Sequence, residues 1–264
     1  MGELNENSIM KILDQCYEKC LNGVSNVSPP IDKFAEDYLS KNPQPYIAAE
    51  KMINNQVLKC ATSGFISGFG GILTLPVSIP ANVGTVLYVQ MRMIACCAYM
   101  AGFDLKSDQV QTFVYACLAG VSVNEIIKKT AVKFGEKVTV KTIEKIPGKV
   151  LTKINQAVGF RFLTKFGEKG LINMGKAVPV VGATICGGLD LSETRIIGNR
   201  AYKVFIENDI SGTDANDDKK IDLKEVGSKI VGGVASGSKV IAKGATSLAD
   251  KGISLVGDKI KKKK

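Results

Sequence analysis

The chain has 264 residues, 45% of them hydrophobic and 23% charged, which excludes a disordered polymer and leaves room for a sizeable core. It carries a net charge of +10 and no His, so Ser-His-Asp, Cys-His and His-metal chemistry are removed. Much of the excess charge sits at the C-terminal end, where nine Lys between Lys229 and Lys264 face only Asp250 and Asp258, and the body lacks the basic, aromatic-interleaved face of a nucleic-acid binder.

In chain order, MGELNENSIM is polar and acidic, unlike a secretory signal, and Glu6 stands where an N-myristoylation pattern requires Ser or Thr. Residues 7–24 read as an amphipathic helix with Ile9, Ile12, Leu13, Cys16 and Cys20 on one side. VSPPID breaks the chain around Pro29 and Pro30, and a second helix covers 31–40 with Phe34, Tyr38 and Leu39 inward. After the Asn42–Pro45 loop a third helix runs from about 46 to 66.

The stretch from Cys60 to Gln90 has no charged side chain and holds Gly64, Gly68, Gly70, Gly71, Pro76 and Pro80. It exceeds the ~20 apolar residues that cross a bilayer. Its two prolines argue against one straight helix and for two small-residue arms broken around TLPVSIP. Such arms form either the core of a helical domain or a hairpin that dips into a membrane.

A long helix from about Ala81 to Ala101 follows, stopped by Gly102, and Asp104 and Ser107 open another over 107–118. A further helix is read over 122–134. Residues 136–146 are open between helix and strand, because VTVKTI alternates. After the Pro147–Gly148 turn, helices are read at 149–157, 160–168 and 170–176. Residues 177–206 again combine Pro, small residues and then a helix with Arg195 and Arg200. Two such units suggest a helical hairpin used twice, at an identity too weak to name a repeat.

GFISGFGGILTLPVSIPANV (64–83), YVQMRMIACCAYMAGFDLKSDQVQTFVYACLAG (88–120), INQAVGFRFLTKFGEKG (154–170), KAVPVVGATICGGLD (176–190) and GNRAYKVF (198–205) together resemble the EcsC protein family over roughly residues 45–206. The resemblance implies an α-helical domain of membrane-associated character, linked through the family's namesake to an ATP-driven exporter. It implies no catalytic residue set, and it does not reach past about residue 207.

Asp214, Asn216, Asp218, Lys220, Asp222 and Glu225 fit a calcium loop, with Lys220 contributing its carbonyl. Lys219 stands where the sharp turn wants Gly, and no second loop is present to pair with it; a solvated acidic linker is the alternative. In the C-terminal tail, apolar and small residues from Ile230 to Val256 recur at intervals of 4, 3 and 4, close to a straight helix. Lys239, Lys243, Lys251 and Lys259 line its other face, and the chain ends in Lys261, Lys262, Lys263 and Lys264. Such a helix orders on an anionic lipid surface, packs on the body, or stays a basic tail.

The seven Cys, odd in number and without a CxxC pair, read as buried thiols of a reducing compartment. Cys16 and Cys20 share a helix face but lack further zinc ligands. Gly170–Lys176 has phosphate-loop spacing without the Ser or Thr, and GFGG at 68–71 lacks a dinucleotide motif's third Gly. Arg92 is expected to pair with Asp104, and Asp190 and Glu193 with Arg195 or Arg200.

The expectation is an all-α protein: an antiparallel helical bundle built around two Gly-rich helical hairpins, with a C-terminal amphipathic helix. Its parts would be an EcsC-like domain over 1–207, an acidic linker over 208–227 and a basic tail over 228–264. It would be intracellular, non-enzymatic and membrane-associated, without a cofactor unless calcium binds. Gly64, Gly68, Gly71, Pro76, Pro80 and the tail lysines would meet lipid, and a transporter or other protein would be its partner. The alternative is a soluble scaffold that binds an acidic protein partner under calcium control.

Overall fold

The computed structural model describes residues 5–61, 81–130, 137, 139–166 and 193–214. Within them the protein is helical and has no strands, only the isolated bridges Val24–Ser28 and Lys137–Asp209. The helices are α1 (Glu6–Asn22), α2 (Ile31–Lys41), α3 (Pro45–Ala61), α4 (Ala81–Met100), α5 (Asp108–Ala119), α6 (Val123–Lys128), α7 (Val140–Ile143) and α8 (Gly148–Phe166). A ninth, α9, covers 193–201 and runs on as a π turn, Tyr202–Ile206, before a 3-10 turn at Ile210–Thr213.

Local chemistry sets most of the ends. The Asn5 side chain accepts the Ser8 N–H at 2.9 Å and starts α1. The stripe Ile9, Ile12, Leu13, Cys16, Tyr17 and Cys20 then buries that helix's inner side. The Ser107 hydroxyl likewise accepts the Val110 N–H at 3.2 Å to start α5. Both α4 and α5 stop in a 6→1 bond across a left-handed Gly. Phe103 N–H donates to Ala98 O at 3.0 Å past Gly102, and Val121 N–H to Ala116 O at 3.0 Å past Gly120.

The central element is α4. Every described side chain from Leu87 to Ala98 on it is buried, as expected for a helix enclosed on all sides. It packs on α1, α2, α3, α5 and the π turn. The core also takes Val110, Phe113 and Cys117 from α5, Ile154 and Val158 from α8, and Ile197 and Phe205 from the α9 arm. On α2 the fully buried residues are Ile31 and Ala35; Phe34, Tyr38 and Leu39 pack against the core half-covered.

Three expectations change. The helices expected at 149–157 and 160–168 are one, because the stripe Val150, Ile154, Val158, Phe162 runs through Gly159 without a break. Gly159 lies where α8 passes the start of α1, and a Cβ there would stand 3.4 Å from that of Glu6. The helix expected over 122–134 ends at Lys128. Thr130 turns both its N–H (2.8 Å) and its hydroxyl (2.7 Å) onto the Ile127 carbonyl, competing with the helix ladder. The segment open between helix and strand is helical at Val140–Ile143, fixed by a capping box in which Thr139 and Thr142 bond each other's backbone. The expected helix at 170–176 and the C-terminal helix lie outside the described residues.

Candidate functional site

Of the residues expected to hold calcium, Asp214 alone is described. Its N–H donates to Ser211 O at 2.9 Å and closes the 3-10 turn. Asn216, Asp218, Lys220, Asp222 and Glu225 lie outside the described residues, as do Gly64, Gly68, Gly71, Pro76 and Pro80 and the tail lysines from Lys239 to Lys264. The phosphate-loop spacing at 170–176 and GFGG at 68–71 lie outside as well. Among the described residues no three Cys, Asp or Glu gather closely enough to hold a metal ion. No described helix is long and apolar enough to cross a membrane.

What the described residues do assemble is a pair of arginine-capped helix ends. Arg92 is 5% exposed in the middle of α4. Its Nη1 donates to the Cys20 carbonyl at 3.1 Å and to Tyr88 Oη at 3.4 Å. The guanidinium lies over the Phe34 ring, 4.8 Å from its centroid, and 5.7 Å from that of Tyr88. Tyr88 Oη in turn meets Ser28 Oγ at 2.7 Å and donates to Lys19 O at 3.4 Å. Lys19 and Cys20 are in the last turn of α1, whose carbonyls have no partner within the helix. A cation there also faces the negative end of the helix dipole.

The second end repeats the first. Arg200 Nη1 on α9 donates to the Cys117 carbonyl, in the last turn of α5, at 3.1 Å. The two capped helices run out through hexapeptides that agree at five of six positions: Cys20-Leu-Asn-Gly23-Val-Ser25 and Cys117-Leu-Ala-Gly120-Val-Ser122. The Cys20 and Cys117 thiols are both pushed up to about 12 by burial, each partly offset by its own arginine, Arg92 or Arg200. Nothing in the sequence reading paired these hexapeptides, although the match is present in the letters.

The expected ion pairs rearrange. Arg92 does not pair with Asp104. Just over two turns of α4 and the turn at Gly102 separate them, and the Asp104 carboxylate accepts the Lys106 N–H at 2.9 Å instead. Glu193 pairs with Lys165, not with an arginine of its own helix, and Arg195 donates to Asn54 Oδ1 on α3. Residues two apart, as Glu193 and Arg195 are, point to different sides of a helix, and Arg200 lies two turns further on, at the Cys117 carbonyl. Asp190 lies outside the described residues. Among the described residues, three buried polar atoms have no hydrogen-bond partner: Arg92 Nη2, Gln56 Nε2 and Asn155 Oδ1.

Cys16, Cys20, Cys96, Cys97 and Cys117 are free and buried. Burial raises every one of these thiols, and for Cys96 and Cys97 a neighbouring thiol adds to it. A thiol so protonated is a poor nucleophile. The arrangement therefore binds helix to helix, and none of these five thiols is activated.

No match was found among curated proteins or among solved structures. A family model, the EcsC protein family, matches residues 44–206, from the start of α3 to the end of the π turn and well over half of the chain. The chain belongs to the EcsC protein family.

Proposed function

We propose that this EcsC protein is a non-enzymatic, membrane-associated protein of the cytoplasmic face, accessory to a transporter or another membrane partner. The Gly-rich stretches around Gly64, Gly68, Gly71, Pro76 and Pro80 pack in or on the bilayer, and the lysines from Lys239 to Lys264 hold anionic lipid. One observation carries the reading: residues 62–80, which join α3 to α4, contain no charged side chain. A 19-residue uncharged stretch rich in Gly is of the length and polarity that lipid accommodates. The reading needs no spanning helix; a hairpin that enters and leaves on one side suffices. The absence of His and the burial of five thiols support the lack of enzymatic chemistry.

The test is vesicle flotation of the full chain and of a chain ending at Glu207. With neutral lipid in high salt, both are expected to float. With anionic lipid in low salt, the full chain is expected to float more completely, because each Lys near the surface contributes about 1 kcal/mol before screening. A full chain that stays with the soluble fraction in every lipid ends the proposal.

A second reading, a soluble scaffold whose tail binds an acidic protein partner, has one observation in its favour. The last part of the uncharged stretch, from Gly84 to Gln90, is mostly buried in the body and is ordinary core. Calcium at Asp214–Glu225 would serve as its switch. Heat on calcium titration, together with no flotation, favours this reading.

A further inference from the structure

We propose that the outer face of α8, bearing Lys149, Lys153, Phe160 and Arg161, is a docking surface for the anionic headgroups of a lipid bilayer. The inference rests on the membrane reading above and adds to it the part of the helical body that meets the lipid.

Charge singles out this helix. α8 holds Lys149, Lys153, Arg161 and Lys165 and no Asp or Glu. By contrast α1, α2 and α3 each mix both signs, so their cations sit among carboxylates. The run begins upstream: between Lys137 and Lys165, the cations Lys141, Lys145, Lys149, Lys153 and Arg161 are set against Glu144 alone. Lys165 is ion-paired with Glu193, but among the described residues no ion pair holds Lys149, Lys153 or Arg161.

Periodicity gathers the side chains. At 3.6 residues per turn, Lys149, Lys153 and Phe160 fall within about 40° of one another, on the side away from the buried stripe Val150, Ile154, Val158 and Phe162. All three are exposed. Gln156 and Thr164 complete this side, exposed and uncharged, and the exposed Arg161 flanks Phe160. The two nearby rings divide between the faces. Phe162 is 6% exposed, while Phe160, at 59%, is the most exposed large hydrophobic side chain among the described residues. From Lys149 to Phe160 the face extends about 16 Å along the helix.

Nothing within the described residues offsets this arrangement. Lys149 and Lys153 are like charges at i, i+4, which repel. Lys149 also lies in the first turn, where the helix dipole favours an anion, and that turn holds no acid. A ring left in water adds nothing to the core. A surface that is anionic above and apolar beneath reverses each of these terms. The lysine stems lie along it with their ammonium groups at the headgroups, and the ring enters between them.

The composition of the face favours lipid over other occupants. A second copy of the chain docked face to face would bring the same charge and be repelled. Protein interfaces enrich Arg and deplete Lys, and this face is mainly Lys. Single-stranded nucleic acid is held by successive stacked rings, and this face has one.

The test titrates full-length chains with vesicles of phosphatidylcholine and phosphatidylglycerol. The α8 variant is Lys149→Gln, Lys153→Gln, Arg161→Gln; the control variant, Lys33→Gln, Lys51→Gln, Lys106→Gln, removes as many exposed cations from other parts of the body. A cation held at such a surface is worth roughly fivefold in affinity, so the α8 variant is expected to bind at least about tenfold more weakly than the control. The chain has no Trp, so Phe160→Trp reports from this face without background. Brominated phosphatidylcholine in the same vesicles is expected to quench it by at least about half. Equal affinity of the two triple variants, or no quenching of Phe160→Trp when it is vesicle-bound, overturns the assignment to α8 and leaves the membrane reading standing. An α8 variant that loses binding to poly-uridine RNA while holding vesicles as the control does puts nucleic acid on this face and overturns the assignment too. An unsubstituted chain that binds neither neutral nor anionic vesicles takes both readings down.

Discussion

At the scale of single residues, Gly23, Gly102 and Gly120 all have positive φ, at 75°, 81° and 67°, yet they differ in what a side chain would meet. At Gly102 a Cβ finds nothing within 4 Å, so Gly102→Ala carries only the conformational cost, about 1 kcal/mol. At Gly120 it would stand 2.7 Å from the Arg200 guanidinium, the far end of a flexible side chain that must move off the Cys117 carbonyl. The conformational cost plus a lost charged hydrogen bond makes roughly 2–3 kcal/mol. At Gly23 it would lie 2.6 Å from Pro29 C and Ser28 O, backbone atoms that cannot step aside, and ψ of −178° is open in practice only to glycine. The expected order of destabilisation is therefore Gly23→Ala, then Gly120→Ala, then Gly102→Ala, read from urea midpoints. Equal losses at Gly102 and Gly120 would mean that the arginine cap contributes nothing.

At the scale of the element, α8 shows where the sequence speaks and where it misleads. A glycine after a run of helix formers reads as a stop, so the sequence splits this helix at Gly159. The apolar stripe on either side keeps one phase, and that phase outweighs a propensity cost near 1 kcal/mol. A Cβ at 159 would meet Glu6 atoms at 3.4, 3.6 and 3.7 Å, ordinary contact distances. Gly159→Ala is accordingly expected to stabilise the protein by about 0.5–1 kcal/mol, visible as a higher thermal midpoint; a loss would show that two helices meet there after all. The ends read at Pro30, Gly102 and Ser107 were legible because caps and breakers are local and act within a turn of themselves, whereas the Asn5 cap that starts α1 was not singled out. The partners of Arg92 and Arg200 were not legible. The sequence offers carboxylates to a buried arginine, and the fold gives these two the last-turn carbonyls at helix ends, which carry no letter of their own. The residues expected at the calcium loop and the basic tail lie beyond Asp214, outside the described residues.

For the whole molecule, the shared core couples folding to the ionisation of its thiols. Cys16, Cys20, Cys96, Cys97 and Cys117 are enclosed among α1, α4 and α5, and burial raises each, Cys20 and Cys117 to about 12. In the unfolded chain a thiol ionises from about pH 8.5. Above that value the unfolded state binds fewer protons than the folded one, so stability falls as pH rises. For Cys20 and Cys117 the fall runs from about pH 8.5 to about 12. Each thiol contributes a slope of about 1.4 kcal/mol per pH unit, and below pH 8 these groups impose no pH dependence. Urea midpoints taken from pH 7 to pH 10 should be level at first and then drop steeply. The Cys20→Ala, Cys117→Ala double variant begins lower, because two core side chains are shortened, but its decline between pH 9 and pH 10 should be shallower by about two thiols' worth, roughly 3 kcal/mol. The comparison of slopes separates ionisation from packing. A wild-type chain whose midpoint stays level to pH 10, or whose native form titrates these five thiols with a disulfide reagent at neutral pH, would contradict a core enclosed among α1, α4 and α5.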